Sequence, residues 1–329
     1  MINITQEEIM KNWQGDINQP VVSVRCITYN HENYIAQALD GFLMQKTNFP
    51  FEVIVHDDAS PDKTADIVRE YEKKYPAIIK AIYQTENQYS KRDGTIARIM
   101  NEACKGKYIA LCEGDDYWID ENKLQMQVDF LEENPEYGMC FHGALEHFED
   151  GTVIDCSVSK HKVFSRLKTK RYSGREIILN WIIPTASIVM RSVLILDGLH
   201  QKVMCDQRII AGDKVFWLLA ITRSKVWCIS KTMSIYRRHR GGVIYSFSFE
   251  RGFMNFFQLE ALIEYFPKAS FYLFILKMKT AASNCSIAIL KKDFYNAWRF
   301  FKLNFLSNIF LLPLYLCRNL FQISRIKRL

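Results

Sequence analysis

The chain has 329 residues, of which 49% are hydrophobic and 24% are charged, so it can build the core of one large or two medium globular domains. Its nine cysteines include no CxxC pair, and its cysteines and histidines do not cluster at ligand spacing, which argues against a structural zinc site. Residues 1–16 are polar and acidic and do not resemble a signal peptide. We therefore expect reduced thiols and a cytoplasmic location.

The net charge of +7 hides an uneven distribution along the chain. Residues 1–150 contain 14 Lys and Arg against 27 Asp and Glu, whereas residues 265–329 contain 11 against one. An acidic half is a poor surface for nucleic acid but suits a site for a divalent cation, and a basic, aromatic-rich end suits an anionic membrane surface. We therefore expect no nucleic acid among the partners.

Four short runs rich in β-branched residues are typical of buried strands, and they are VVSVRCI (21–27), FEVIVH (51–56), IIKAIY (78–83) and KYIALC (107–112). Helical patterns lie between them at residues 31–45, 62–75 and 94–104. The second of these is expected to start with Ser60 as the N-cap and Pro61 in the first turn. Strands that alternate with helices at this spacing predict parallel βαβ units.

Polar clusters follow three of these strands, and they are TYNHE (28–32), HDDASPD (56–62) and CEGDDYW (112–118). Ligands of parallel sheets bind beyond the carboxyl ends of the strands, so the three clusters predict one site. The sequence contains no GxG and therefore neither a dinucleotide fingerprint nor a P-loop. Instead, Glu113, Asp115 and Asp116 could hold Mg²⁺ or Mn²⁺, which would bridge a diphosphate.

Several of these pieces, taken in order and spacing, resemble a family 2 glycosyltransferase of the GT-A fold, and they are TYN at 28–30, Gln45, DDASPDKT at 57–64, Gly106 and GDDYW at 114–118. The resemblance covers residues 20–150 and continues with GD at 212–213 and YRRH at 236–239. It implies an α/β fold with a Rossmann-like, mostly parallel sheet flanked by helices. It also implies a GT-A domain over 1–250, with a nucleotide-sugar-binding half (20–150) and an acceptor-side half (150–250), followed by a helical, amphipathic C-terminal region (251–329).

The resemblance further implies roles for individual residues. Asp115 and Glu113 would ligate the cation, and Asp213 would be the base that takes the proton from the acceptor hydroxyl. Nine residues would bind the nucleotide-sugar, and they are Thr28, Tyr29, Asn30, Glu32, Asp57, Asp58, Arg98, Asp116 and His239. Glu113 stands where the family usually has Asp, and Gly212 replaces an acidic residue that commonly precedes the catalytic Asp.

The chemistry of sugar transfer needs these two groups of carboxylates. A cation offsets the charge on the leaving diphosphate, and a separate carboxylate accepts the proton of the attacking hydroxyl. A single displacement inverts the anomeric carbon, and the lack of a QxxRW motif disfavours a processive synthase. We expect an inverting enzyme that moves a sugar from a nucleotide-sugar, UDP-linked, to a glycan or lipid-linked acceptor in cell-surface polysaccharide synthesis. The alternative is a catalytically silent membrane-surface binding or scaffold protein on the same fold.

Simpler interpretations stay open for some of these residues. The segment 57–62 could only cap the following helix, and Asp213 could be an ordinary aspartate at a helix start. The basic loop around His239 could face lipid or solvent. His31 and His56 are expected to pack or to point outward.

From residue 253 onward the composition shifts to Phe, Tyr, Leu and Lys. Four aromatic residues fall at helical spacing, and they are Phe294, Trp298, Phe301 and Phe305. The longest charge-free window of this end, residues 303–317, has 15 residues and is shorter than the roughly 17–25 that cross a bilayer. We expect this region to lie on the inner face of the plasma membrane, with the basic residues of 318–328 at the lipid head groups. The alternative is a helical hairpin packed on its own domain or on a partner subunit.

Overall fold

The computed structural model describes residues 3–149, 151–155, 167–180, 182–242 and 248–309. Ten strands in these residues join one sheet. The strands are β1 (Val22–Thr28), β2 (Phe51–Asp57), β3 (Ile79–Tyr83), β4 (Tyr108–Leu111), β5 (Tyr117–Trp118), β6 (Tyr137–Phe148), β7 (Val153–Asp155), β8 (Lys170–Tyr172), β9 (Val189–Arg191) and β10 (Lys225–Arg238). All four runs that the sequence predicted as strands thus form strands, namely β1 to β4.

Twelve α-helices accompany the strands in the described part of the chain. They are α1 (Gln6–Met10), α2 (Ile35–Leu43), α3 (Thr64–Lys74), α4 (Thr95–Ala103), α5 (Lys123–Glu133), α6 (Gly174–Asn180), α7 (Val193–Leu196), α8 (Leu199–Met204), α9 (Asp213–Arg223), α10 (Phe249–Tyr265), α11 (Ser270–Leu290) and α12 (Phe294–Ile309). One apolar core lies between the sheet and α2, α3 and α5, and a second involves α6 to α11. The sheet is therefore covered on both faces.

The strands are ordered β3-β2-β1-β4-β9-β6-β10-β5, with β7 beside β6 and β8 beside β10. The β1–β2, β2–β3 and β1–β4 pairs are parallel, as the βαβ pattern predicts. Beyond β4 the sheet becomes mixed, because β9 runs antiparallel to both β4 and β6 and β5 runs antiparallel to β10. The predicted fold class is confirmed in this mixed form.

The register of the parallel strands brings their carboxyl ends to one edge. Thr28 pairs with Asp57, and Asp57 pairs with Tyr83. On the other side of β1, Arg25 pairs with Leu111, and β4 then leads directly into the acidic loop. The three polar clusters therefore share one edge of the sheet.

The start of α3 differs from the sequence prediction. The helix begins at Thr64 after Lys63, three residues later than a helix capped by Ser60 would begin. The hydroxyl of Ser60 instead accepts a hydrogen bond from the backbone amide of Asn30 (2.9 Å). Ser60 was expected to cap α3, but it instead connects the loop after β2 to the loop after β1.

The C-terminal helices pack against one another in sequence, and α11 also contacts α6. Phe300 of α12 is fully buried and stacks on Phe253 of α10, with 4.0 Å between the ring centroids. In the described residues, α11 is the one helix long and apolar enough to cross a membrane by length and composition. The predictions for Phe305 and for residues 310–329 fall outside the residues whose side chains the structure describes.

Candidate active site

The loops after β1 and β2 are fastened to each other by hydrogen bonds from backbone to side chain. Three consecutive amides of the first loop donate to side chains of the second, in the pairs Asn30 to Ser60 Oγ (2.9 Å), His31 to Thr64 Oγ1 (2.8 Å) and Glu32 to Asp62 Oδ2 (3.0 Å). The Glu32 carboxylate in return accepts from the Lys63 amide (3.0 Å). Asn30 and Ala59 have φ of 59° and 61°, a left-handed conformation that non-glycine residues seldom adopt. These loops are thus held in a fixed, locally strained conformation.

The two neighbouring aspartates of the second loop have different surroundings. Asp58 uses both carboxylate oxygens, accepting from the amides of Gln88 (2.8 Å) and Tyr89 (2.9 Å). Asp57 accepts from the Ser60 amide through Oδ2 (3.2 Å), but its Oδ1 is buried without a hydrogen-bond partner. A buried acceptor of this kind is costly unless a ligand satisfies it. Both aspartates were predicted to bind the nucleotide-sugar, and of these two Asp57 is the one with a carboxylate oxygen that lacks a hydrogen-bond partner.

The acidic loop lies tightly against the first loop. A Cβ at Gly114 would come within 2.6 Å of Thr28 Oγ1 and 3.0 Å of His31 Nδ1, so only glycine fits there without a shift. The Gly114 amide also donates to the carbonyl of Ile27 (2.9 Å). The carboxylates of this loop are therefore held against the end of β1.

Asp115 meets two imidazoles. Its Oδ2 lies 3.1 Å from Nε2 of His239 and 3.9 Å from Nε2 of His31. Burial opposes ionisation of this carboxyl, but the hydrogen bond and the positive charge that both histidines can carry outweigh it and lower the pKa of Asp115. Asp115 is thus kept as the ionised carboxylate that a cation requires.

Asp116 is fixed by the end of β10. It is 2% exposed, and its Oδ1 accepts from the backbone amide of Arg237 (2.9 Å). The Arg237 side chain donates to the carbonyl of Asp115 (2.8 Å), and its guanidinium lies 4.8 Å from the ring centroids of both Tyr34 and Tyr117. Burial raises the pKa of Asp116, and the negative charge of Asp115 adds to this effect.

Glu113 lies in the acidic loop, and Asp213 is the first residue of α9. Burial raises the pKa of Glu113 to about 8, and the charges of Asp115 and Asp213 act in the same direction. Asp213 begins α9, where burial raises its pKa also, and its Oδ1 accepts from the Lys214 amide (2.9 Å). The carboxylate of Asp213 is therefore close enough to the acidic loop to interact with it electrostatically.

Other predicted residues lie farther from this cluster or present less to it. Arg98 is exposed on α4 and pairs with Glu102 (3.5 Å). Tyr29 is 44% exposed beside the first loop. His56 is fully buried and contacts Gln84 (3.2 Å), so the prediction that it packs is confirmed.

His31 packs against the rings of Tyr34 and His239, which is one of the two outcomes expected for it, but its Nε2 also lies 3.9 Å from Asp115 Oδ2, which the sequence did not predict. Sequence reasoning also missed Arg237, which holds the backbone and a side chain of the acidic loop. A signal for His31 was present, since it directly follows the polar residues at the end of β1. Arg237 could not be found in this way, because it lies 121 positions from Asp116 in sequence.

The donor atoms of this cluster fit a divalent cation. In the described part of the chain, His31, Asp115 and His239 form a group whose ligand atoms all lie within 4.8 Å of one another. A carboxylate oxygen and imidazole nitrogens are common ligands of divalent first-row metals. Glu113 is not a member of this group, so its predicted role as a ligand stays a prediction.

A cleft opens between the segment that follows β3 and the segment before α9. It is lined by residues that include Tyr89, Arg92, Gly94, Met204 and Ile209. The Tyr89 hydroxyl donates to the carbonyl of Ile210 (3.1 Å) and so joins the two walls. Burial raises the pKa of Tyr89 and outweighs the opposite effect of the positive charges of Arg92 and Arg251.

The sequence matches known families and proteins. The family model described as "Glycosyl transferase family 2" matches residues 23–194. The uncharacterized protein Rv1520 of Mycobacterium tuberculosis is 36% identical over 231 residues, which are 68% of this chain and 61% of that protein. The putative teichuronic acid biosynthesis glycosyltransferase TuaG of Bacillus subtilis is 33% identical over 147 residues, which are 44% of this chain and 53% of TuaG. The chain thus spans less than two thirds of the length of these relatives.

Two solved structures share the fold at low sequence identity. S. aureus TarS 1–349 in complex with UDP-GlcNAc aligns with a TM-score of 0.53 and 18% identity, over 84% of this chain and 88% of that one. The mannosyltransferase PcManGT of Pyrobaculum calidifontis in complex with GDP-Man and Mn²⁺ aligns with a TM-score of 0.53 and 17% identity, over 94% of this chain and 86% of that one. With the matched family model and the relatives, these structures agree with the geometry above: the chain belongs to glycosyl transferase family 2 and has a GT-A-like fold.

Proposed function

We propose that this protein transfers a sugar from a UDP-linked nucleotide-sugar, with inversion at the anomeric carbon, to a glycan or lipid-linked acceptor in cell-surface polysaccharide synthesis. The observation that carries the proposal is the meeting of Asp115 with His31 and His239 beside two further carboxylates, at the shared carboxyl edge of β1, β2 and β4. The similarity to TuaG, a putative teichuronic acid biosynthesis glycosyltransferase, supports the acceptor class, and the similarity to TarS, whose structure contains UDP-GlcNAc, supports the donor.

Each part of the site has a role in this reaction. Asp57 offers its unpaired oxygen to the base or ribose, and the fastened amides of the first loop shape the nucleotide pocket. A bound divalent cation would offset the charge that develops on the leaving diphosphate. Asp213, whose pKa is raised by burial, takes the proton from the acceptor hydroxyl.

The proposal is tested with the variant Asp115→Asn in the full chain. The variant keeps the size of the side chain but loses the charge, so we expect Mn²⁺-dependent UDP binding and sugar transfer to fall at least a hundredfold. UDP binding is measured by calorimetry with and without Mn²⁺. Transfer is measured as the release of UDP, GDP or dTDP from the corresponding UDP-, GDP- or dTDP-sugar.

The matched control is Asp129→Asn, an exposed aspartate on α5, which should behave as the wild type. Unchanged UDP binding and transfer in Asp115→Asn would refute the proposal. UDP binding without turnover for any donor would instead indicate the alternative, a catalytically silent protein on this fold.

We further propose that the region from residue 251 onward attaches the enzyme to the inner face of the plasma membrane. The aromatic surface of α12 carries exposed side chains that soluble proteins seldom group together, and they are Phe294, Tyr295, Trp298 and Phe301. Only 28% of the most apolar stretch of α11 is buried. The net positive charge of residues 265–329 selects an anionic lipid surface as the partner.

This attachment is tested by sedimentation of the full chain with vesicles. We expect binding to vesicles that contain phosphatidylglycerol, weaker binding as the salt concentration rises, and little binding to pure phosphatidylcholine. Self-association of the protein without binding to either vesicle would show that the aromatic surface of α12 contacts a second copy and would overturn the proposal.

A further inference from the structure

We propose that His31 is a third protein ligand of the cation, so that the site is a His–Asp–His centre that selects transition metals over Mg²⁺. The inference rests on the proposed function and deepens it, because it assigns a ligand and a class of metal to the same site. It concerns three side chains from two loops and the end of β10, namely His31, Asp115 and His239.

The distances from the Asp115 oxygen to the two imidazoles fit one shared cation. Two atoms that each lie about 2.1 Å from a metal are about 3.0 Å apart at a right angle and about 4.2 Å apart on opposite sides of it. The Nε2 atoms of His239 and His31 lie 3.1 Å and 3.9 Å from the same oxygen of Asp115. Both distances fall within this range. Neither imidazole needs a large movement to reach an ion that Asp115 holds.

The orientation of His31 is set by its neighbours. Its Nδ1 lies 3.2 Å from Thr28 Oγ1, and a hydrogen bond there leaves Nε2 as the nitrogen that faces Asp115. Its backbone amide is fixed by Thr64, and the acidic loop packs so closely that Gly114 has no room for a Cβ. Metal-binding histidines commonly have such a second partner, which fixes the ring and its tautomer.

The orientation of His239 is also fixed. It is 4% exposed, and its ring lies against the ring of Tyr34 with 4.6 Å between the centroids. The rings of His31 and His239 are nearly perpendicular, at 85°, with 6.1 Å between their centroids. The two imidazoles therefore lie in different, fixed orientations beside the Asp115 oxygen.

The donor set determines which metals bind well. Mg²⁺ prefers oxygen ligands and water, whereas two imidazoles and one carboxylate suit Mn²⁺, Fe²⁺, Co²⁺ or Zn²⁺ better. A site with Asp115 and water alone would show little such preference. The additional histidine therefore predicts a measurable selectivity against Mg²⁺.

The test compares the wild type with His31→Ala in the full chain. Calorimetry with Mn²⁺, Co²⁺ or Mg²⁺ alone, and then with UDP present, gives the affinity for each metal. We expect His31→Ala to lose at least tenfold in affinity for Mn²⁺ and Co²⁺ and to change little for Mg²⁺. Pulsed electron paramagnetic resonance of bound Mn²⁺ should detect two imidazole nitrogens in the wild type and one in the variant.

Two more variants complete the test. His147→Ala removes a histidine that contacts Tyr117 outside the group, and it should bind metals as the wild type does. Thr28→Val keeps the shape of Thr28 but removes the partner of His31 Nδ1, and it should lose about 10–100-fold in Mn²⁺ affinity. Equal Mn²⁺ affinity and an unchanged nitrogen signal in His31→Ala would overturn the inference.

The failure of this inference is distinguishable from failure of the proposed function. If His31→Ala is unchanged while Asp115→Asn loses metal-dependent UDP binding, the function stands and His31 is no ligand. If the wild type binds neither UDP nor a nucleotide-sugar with any of these metals, the proposed function itself is wrong.

Discussion

The edge of the sheet and the C-terminal helices each present groups that are unfavourable without a binding partner. These groups are acidic at the edge of the sheet and apolar on the helices. At the edge of the sheet, burial and crowding raise the pKa of Glu113 and Asp116 beside Asp115, so all three carboxylates could be ionised together only with a cation. On α12, aromatic side chains such as Trp298 (61% exposed) are left in water, so they need an apolar surface. One region is therefore completed by a small charged ligand and the other by a large surface. Changes at the edge should affect chemistry and binding of the donor, whereas changes on α12 should affect location alone.

The largest effect is expected for Asp213→Asn. If Asp213 is the general base, its loss should lower kcat by about 10²–10⁴, because positioned bases contribute that much to proton transfer. The KM for the donor should change little, because the nucleotide contact that we propose is Asp57, which lies on a different loop. Steady-state kinetics at saturating acceptor measures both constants.

The control for this prediction is Asp197→Asn, an exposed aspartate that pairs with Arg223. It should keep both constants. A parallel loss of donor affinity and kcat in Asp213→Asn would mean that Asp213 binds the donor instead of accepting the proton.

A second prediction separates the two neighbouring aspartates at the end of β2. Asp58→Asn should lower the free energy of unfolding by about 1–3 kcal/mol. Asp58 accepts hydrogen bonds from two backbone amides, and one of these amides would lose its acceptor. Asp57→Asn should leave stability nearly unchanged and weaken UDP binding, because its Oδ1 has no partner within the protein. Urea denaturation and calorimetry with UDP measure the two effects, and the reverse pattern would contradict the assignment.

A third prediction tests how closely the acidic loop must approach the end of β1. Gly114→Ala should destabilise the protein by about 1–3 kcal/mol and weaken Mn²⁺ binding, since the new methyl group would meet Thr28 at 2.6 Å. Gly174→Ala is the control, because a Cβ there meets Ile221 no closer than 3.6 Å. It should leave the melting temperature unchanged or slightly higher. Equal melting temperatures for both variants would show that the loop can move away.

The sequence predicted the parts of this fold that depend on local patterns. Buried β-branched runs predicted β1 to β4, and the polar residues after them predicted one shared edge that includes Asp115. Local patterns could not predict contacts between elements that lie far apart in the sequence. Only the family resemblance predicted His239, and Arg237 was missed, because both reach the acidic loop through the pairing of β10 with β6 and β5, which no local pattern encodes.

The start of α3 was missed for a related reason. Ser60 is a favourable N-cap residue, and Pro61 is favourable in a first turn, so local preference predicted a helix from that point. In the folded chain the hydroxyl of Ser60 accepts a hydrogen bond from the Asn30 amide, and the helix begins at Thr64. A contact between two loops that together shape the site was stronger than the local preference for a cap.

The smallest effect on stability, and the sharpest test of the helical region, is expected for Trp298→Ala. Trp298 is exposed and stacks on Phe301, with 5.8 Å between the centroids, so its loss should change the free energy of unfolding by no more than about 0.5 kcal/mol. Binding to phosphatidylglycerol vesicles should nevertheless weaken several-fold, because an indole at the lipid interface contributes buried apolar area. Leu196→Ala, which removes an equally exposed apolar side chain on α7, should change neither quantity. If Trp298→Ala and Leu196→Ala bind vesicles equally well, the aromatic surface of α12 does not contact lipid, and the difference between the two regions would need another explanation.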